Sequence, residues 1–360
     1  MKRTALATID LAALRHNLSV AKRAAPESRI MAVIKANAYG HGLLKVADAL
    51  NLADGFAVSC LEEAVALRKI SAKRIVVLQG FHSAEQIALF AEHAIEPVIH
   101  QAWQVQALLD APLCQALSVS LKLDTGMHRL GINADDVHGQ IHALQACSHV
   151  QDIQLMTHMA SADELDKETT ALQIARFKDV AEKYDLACSM ANSAALLGWP
   201  DSRVAWVRPG IMLYGVNPFI KGQGSDWGLQ SVMALSTRLI AVNECRKGDK
   251  IGYGGHWECP ADMRIGVAAI GYGDGYPRHA ASGTPVLIGG QRCHLVGRVS
   301  MDMLTIDLSP LPEAAVGDQV TLWGKGLPVE EIAAHAGTIA YELLCSVYAR
   351  VNYDYINEER

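Results

Sequence analysis

Lys35 stands at the end of the short apolar run IMAVI, which begins at Ile30. A lysine so placed can be partly desolvated, and desolvation favours the neutral amine that forms Schiff bases with carbonyl compounds. Later apolar runs also end in polar residues. LSVSLKLD, from Leu117, delivers Lys122 and Asp124, with Arg129 just beyond; IQLMTH, from Ile153, delivers His158. ACSMAN ends at Asn192 with Ser193 next, and RVAWVR ends at Arg208, followed by Pro209, Gly210 and Ile211. Taken alone, Lys35 reads more simply as a surface lysine at a strand end, and position by itself does not establish the catalytic reading.

These residues share a site only if the elements behind them converge. Asp10 caps a predicted helix running to about Ala25, with apolar positions at Leu11, Leu14, Leu18 and Ala21. Strand-like runs then alternate with helical stretches: IMAVI, GFAVSC, RIVVLQG, EPVIH, LSVSLKLD, IQLMTH, ACSMAN and RVAWVR. Eight βα units in about 200 residues predict an α/β fold, an N-terminal (β/α)8 TIM barrel, with a doubly wound sheet as the alternative. In such a barrel chemistry sits where strands end, and the loops after the seventh and eighth strands commonly bind phosphate. From about Leu229 the texture changes to short β-rich runs, including STRLIAVNE, TPVLIGG and QVTLWG, broken by turn residues. The prediction is a barrel domain over 1–228 and a mostly-β C-terminal domain over 229–360, joined through FIKGQGSDWG.

Composition narrows the function classes. The 360 residues are 50% hydrophobic and 19% charged, with a formal charge of -6 and no dense Lys/Arg run, so nothing marks a nucleic-acid or anionic-membrane surface. The eight cysteines (Cys60, Cys114, Cys147, Cys188, Cys245, Cys259, Cys293, Cys345) have no C-x-x-C pair and are expected to be reduced and mostly buried. The N-terminus reaches Asp10 before any signal-like apolar region, and no stretch approaches a membrane span, so a cytoplasmic location is expected. His138 and His142 have metal-compatible spacing but no third ligand of the H-E-x-x-H type, which favours a solvated helix face. GYGDG, from Gly271, lacks dinucleotide-binding spacing. Glu62 and Glu63 open a helix, where carboxylates suit the macrodipole, and need no catalytic role.

Longer motifs go further. VIKANAYGHG from Val33 resembles the cofactor-lysine motif of alanine racemases. KLDTGMHRLG, THMASAD, ANSAA, VRPGIMLYG, IGYGG, GYGDGYPR, VSMDM and YELLC resemble further family segments in the family's order, across nearly the whole chain. Two positions depart from common family usage: Met159 follows His158 where an aromatic is frequent, and Ser300 replaces a cysteine of some relatives.

The resemblance implies a homodimeric enzyme that uses pyridoxal 5′-phosphate to interconvert L- and D-alanine. Racemisation removes a proton from one face of the α-carbon and returns one to the other, which calls for two bases. By similarity these are Lys35, the cofactor anchor, for the D face and Tyr253 of the other subunit for the L face. An ordinary tyrosine ionises near pH 10, so the second base needs cationic neighbours or substrate charge. The resemblance sets Arg208 against the cofactor's ring nitrogen, where arginine donates and cannot accept, and has His158 pack at the ring and hydrogen-bond to Arg208. It assigns the phosphate to Tyr39, Ser193, Tyr341 and the amides of Gly210 and Ile211. Arg129 and the Met301 amide would meet the substrate, with Tyr272 beside it. Lys122, carbamylated in several relatives, would orient Arg129, while Asp302 and Arg278 would line the approach. A broad-specificity racemase shares this catalytic pair and stays open as an alternative. A non-catalytic pyridoxal-phosphate carrier would lack the second domain and Tyr253, and a decarboxylase of basic amino acids would present acidic recognition residues.

Overall fold

Short parallel strands that are apolar on both faces must be covered on both, which a barrel achieves by closing around its own side chains and packing helices outside. A computed structural model of the chain describes residues 4–358 and has this closure. Strands Arg29–Val33, Gly55–Val58, Arg74–Val77, Glu96–Ile99, Leu117–Lys122, Val150–Met156, Ala187–Ser189 and Trp206–Val207 form one parallel barrel. Each falls on one of the eight runs read from the sequence. The last strand pairs with the first, Ile30 opposite Val207, which excludes an open doubly wound sheet.

The second domain is built on a closed ring of six antiparallel strands. The 13-residue strand Met233–Cys245 pairs with both Met263–Ala268 and Gln319–Trp323, and the ring is completed by Pro285–Ile288, Gln291–Leu295 and Leu304–Asp307. Irregularities near Leu235 and Leu239 let the long strand bend between its partners. Trp323 and Tyr276 stack in its interior, ring centroids 6.2 Å apart.

One expected boundary needs correction. Leu6–Asp10, assigned by sequence to the barrel domain, is a strand of the second domain's sheet, antiparallel to Met233–Cys245 and parallel to Asn352–Ile356. Five residues with only Ala7 and Ile9 buried carry too short a period to be seen in sequence. FIKGQGSDWG is also no open tether. Phe219 stacks on Trp227, and Glu330 Oε1 accepts from the amides of Asn217 and Gly224, pinning the segment to helix Val329–Ala336. Among the cysteines, only Cys147, Cys259 and Cys293 are buried, and Cys114 and Cys345 are exposed, so fewer are buried than composition leads one to expect; all eight are free thiols. His138 and His142 both lie against Tyr184, whose hydroxyl is 2.6 Å from His138 Nδ1. Among the described residues no helix is long and apolar enough to cross a membrane.

The helix Leu11–Ala24 joins the two domains. Its buried stripe includes Leu11, Leu14, Leu18 and Ala21, as read from sequence, and also Asn17. Asn17 donates to the carbonyls of Leu213 and Gln230 and accepts from the Gln230 amide, so no polar group is lost by its burial. At the N-terminus, Asp10 Oδ1 accepts from the amides of Ala12 and Ala13 and from Asn357 Nδ2. One carboxylate thus caps the helix and ties the last strand to the first. Asp10→Ala is expected to lower the urea midpoint by the equivalent of about 1–2 kcal/mol, the cost of a lost cap; an unchanged midpoint would contradict this account.

Candidate active site

Immediately after Lys35 the backbone does something costly. Ala36, Asn37, Ala38 and Tyr39 all have φ between 53° and 55°, a full left-handed turn made of residues with side chains. Each such residue costs roughly 1–2 kcal/mol, so the surroundings must impose the turn. Asn37 is its hub: its amide donates to Glu63 Oε1 at 3.0 Å, its Oδ1 accepts from the Leu43 amide, and its carbonyl accepts from the Gly42 amide. His41 Nδ1 lies 2.9 Å from the Tyr39 carbonyl. Gly40 closes the turn at φ 81°, where a Cβ would collide with the Leu344 carbonyl of the second domain. Lys35 is thereby held at the mouth of the barrel.

A cavity of about 1040 Å³ opens there. It is lined by Lys35, Tyr39, Lys122, Arg129, His158, Ser193, Arg208, Gly210 and Ile211 of the barrel and by Tyr341 of the second domain. Burial, and for three of them neighbouring charge, shifts the titration of Lys35, Lys122, Arg208 and His158. Burial, then the Arg129 charge, lowers the Lys35 amine below its ordinary value. Burial and the Arg208 and Arg129 charges bring Lys122 down to about 8. Burial brings Arg208 to about 10, where it is still a cation at neutral pH. Burial and the Arg208 charge hold His158 well below its usual range, hence neutral.

Arg208 is 5% exposed and makes no salt bridge among the described residues. Its guanidinium donates to Ser189 Oγ and to the carbonyls of Thr157 and Met190. The expected hydrogen bond from Arg208 to His158 is not among these: the guanidinium is taken up by Ser189 and by carbonyls at the ends of neighbouring strands. Arg129 sits on an exposed loop held by Asp124, whose Oδ1 accepts from the amides of Gly126, Met127 and His128.

The opposite corner offers neutral donors. Ser193 Oγ accepts from the amides of Gly210 and Met212, so of the two amides expected at a phosphate only Ile211 is not engaged by Ser193. A Cβ on Gly210 would stand 2.6 Å from Tyr39 Oη, so the space beneath that hydroxyl exists because the residue is glycine. The Tyr39 ring lies 4.7 Å from that of Tyr214 and 6.1 Å from that of Tyr341. Burial raises the Tyr341 hydroxyl to about 12 and raises Tyr39 as well, so both are protonated donors.

Five expected residues are not brought to this cavity within the chain. Tyr253 is 67% exposed in the turn Tyr253–Gly255, and Met301 is 53% exposed. Tyr272 lies next to Met301, its amide donating to the Ser300 carbonyl while that of Gly273 donates to Met301. Asp302 is paired with Arg350, and Arg278 faces solvent. All five are on the second domain, away from Lys35. Conversely, Glu63 and Cys345 lie close enough to Lys35 to perturb its charge and were not singled out as site residues. Glu63 is 26 positions from Asn37, beyond the reach of any local spacing rule.

Known proteins share this fold over nearly the full length. Residues 9–218 match the family described as Alanine racemase, N-terminal domain, and residues 232–355 match Alanine racemase, C-terminal domain. An alanine racemase of Nitrosococcus oceani is 52% identical, covering 96% of this chain and 97% of the relative. The crystal structure of the biosynthetic alanine racemase from Pseudomonas aeruginosa is 47% identical with a TM-score of 0.96, covering 98% and 99%. That of the alanine racemase from Bartonella henselae, described with covalently bound pyridoxal phosphate, is 29% identical with a TM-score of 0.90, covering 98% and 99%. The chain belongs to the alanine racemase family.

Proposed function

We propose that this chain interconverts L- and D-alanine with pyridoxal 5′-phosphate held at Lys35, and that two subunits share each site. The observation that carries the reading is the cavity itself: Lys122, Arg129, Arg208 and a neutral-donor corner share it with Lys35, an arrangement that suits a ligand bearing both phosphate and carboxylate. Ser193, Tyr39, Tyr341 and the Ile211 amide would hold the phosphate, neutral donors being sufficient where several converge. Arg208 would face the ring nitrogen as a donor that cannot take a proton from it. When bound, the cofactor makes the α-hydrogen of an attached amino acid acidic enough to be removed.

The Lys35 amine, lowered by burial and by Arg129, is suited to accept and return a proton on the face of D-alanine. Tyr253 would serve the opposite face. Its exposure, with that of Met301 beside Tyr272, supports a site completed by a second copy: the second domain presents these groups outward while its own barrel mouth lacks them. Arg129 would hold the carboxylate. Lys122, with its amine near 8, has a neutral form that would add to carbon dioxide and release a proton to solvent, leaving a carbamate anion beside Arg129 in place of a repelling cation.

Purified enzyme incubated with separate L-amino acids, its products resolved on a chiral column, is expected to yield D-alanine well above any other D-amino acid. No D-alanine would sink the proposal, and comparable D-serine would favour a broad-specificity racemase. Lys35→Ala and Tyr253→Phe chains are each expected to be inactive. Random subunit exchange leaves half the dimers mixed and one intact site in each, so roughly a quarter of the activity returns; no recovery after verified exchange would exclude shared sites. In 13C-bicarbonate a carbamate resonance is expected that disappears in Lys122→Arg. Because protonation blocks the amine, the resonance should fade as pH drops below about 8. Its absence at neutral and alkaline pH would refute the modification.

A further inference from the structure

We infer that Glu63 is a positioning residue for Lys35, clamping the left-handed turn that aims the amine into the cavity. The inference rests on the reading of Lys35 as the cofactor lysine. Three observations carry it. The turn Ala36–Tyr39 is a conformation that alanine and tyrosine resist and asparagine tolerates better only as a single residue, and intrinsic preference would relax the run to the right-handed side. The Asn37 amide, in the middle of that turn, bonds outside its own segment to Glu63 Oε1. The second oxygen, Oε2, accepts from the amide and hydroxyl of Ser59 at the end of the neighbouring barrel strand, Gly55–Val58. The carboxylate therefore bridges two adjacent strand ends at the cavity rim, where Ser59 and Lys35 both line the wall. Charge-assisted bonds to backbone amides are about twice as strong as neutral ones, which suits a clamp working against backbone strain. Glu63 is also a negative charge close to Lys35 and partly offsets the effect of Arg129. Its neighbour Glu62 is solvent-exposed, has no bond to the turn and serves as the control.

Hydrogen exchange on the full-length, cofactor-loaded protein tests this directly. Glu63→Ala is expected to raise exchange in the peptide covering residues 36–40 about tenfold or more, while strands on the far side of the barrel exchange as before. kcat should fall about tenfold or more with KM for alanine changed less than about threefold, because a displaced amine impairs the chemistry more than substrate capture. Glu63→Gln keeps one acceptor oxygen, cannot serve both sets of donors and loses the charge; smaller rises in exchange and smaller losses in kcat are expected. Glu62→Ala should change neither. Wild-type exchange at residues 36–40 in Glu63→Ala would overturn the inference. If that variant does not fold, wild-type exchange and kcat in Glu63→Gln would overturn it. Either failure leaves the reading of Lys35 intact, whereas a Lys35→Ala enzyme retaining racemase activity would remove that reading without touching the clamp.

Discussion

Positive charge is crowded at the mouth of this barrel, and most of the site's chemistry descends from that crowding. Lys35, Lys122, Arg129 and Arg208 face one cavity, and Arg208 is nearly inaccessible, its partners among the described residues being Ser189 and two backbone carbonyls. Burial makes Lys35, Lys122 and Arg208 harder to keep charged, and for the two lysines the neighbouring guanidiniums add to the effect. The groups respond according to type: the Arg208 guanidinium stays charged, the amines move toward neutrality, and His158 is neutral. The same field that frees an amine for chemistry also makes the cavity a natural receptor for an anion. The lowered amine and the cavity's preference for an anion therefore have a common electrostatic origin.

A second constraint is mechanical. Lys35 leaves a barrel strand and enters a turn of the wrong hand for its residues, so its position is imposed from outside the segment. Glu63 acts from the next strand end, Leu43 and Gly42 from the following residues, and Leu344 of the second domain packs against Gly40. The second domain thus shapes the barrel's site from within the same chain, as it also does by supplying Tyr341 to the cavity wall. The pairing of Leu6–Asp10 with Met233–Cys245 and Asn352–Ile356, and the satisfied burial of Asn17, keep the two domains in one relation.

The second domain has an outward-facing half as well. Tyr253 and Met301 are exposed, while Asp302 is fixed by Arg350, which also pairs with the buried Asp274. A tyrosine in a glycine-rich turn at the surface has no chemical task within one chain. In the proposed dimer it acquires one, and the geometry of the partner interface becomes part of catalysis.

The sequence by itself determined what depends on local period and residue type. Eight apolar runs with polar ends specified the barrel strands and the rim positions of Lys35, Lys122, His158 and Arg208, because burial and strand direction follow from neighbours along the chain. Asp10 was legible as a cap for the same reason. Long-range pairing decided the rest. The membership of Leu6–Asp10 in the second sheet, the bonds of Arg208 to Thr157 and Met190 instead of His158, and the bridge from Glu63 to Asn37 join residues tens to hundreds of positions apart. No pattern of adjacent side chains encodes such contacts. The left-handed turn shows the difference most clearly: Ala-Asn-Ala-Tyr has no intrinsic preference for it, and only the packed fold makes it the lower-energy conformation.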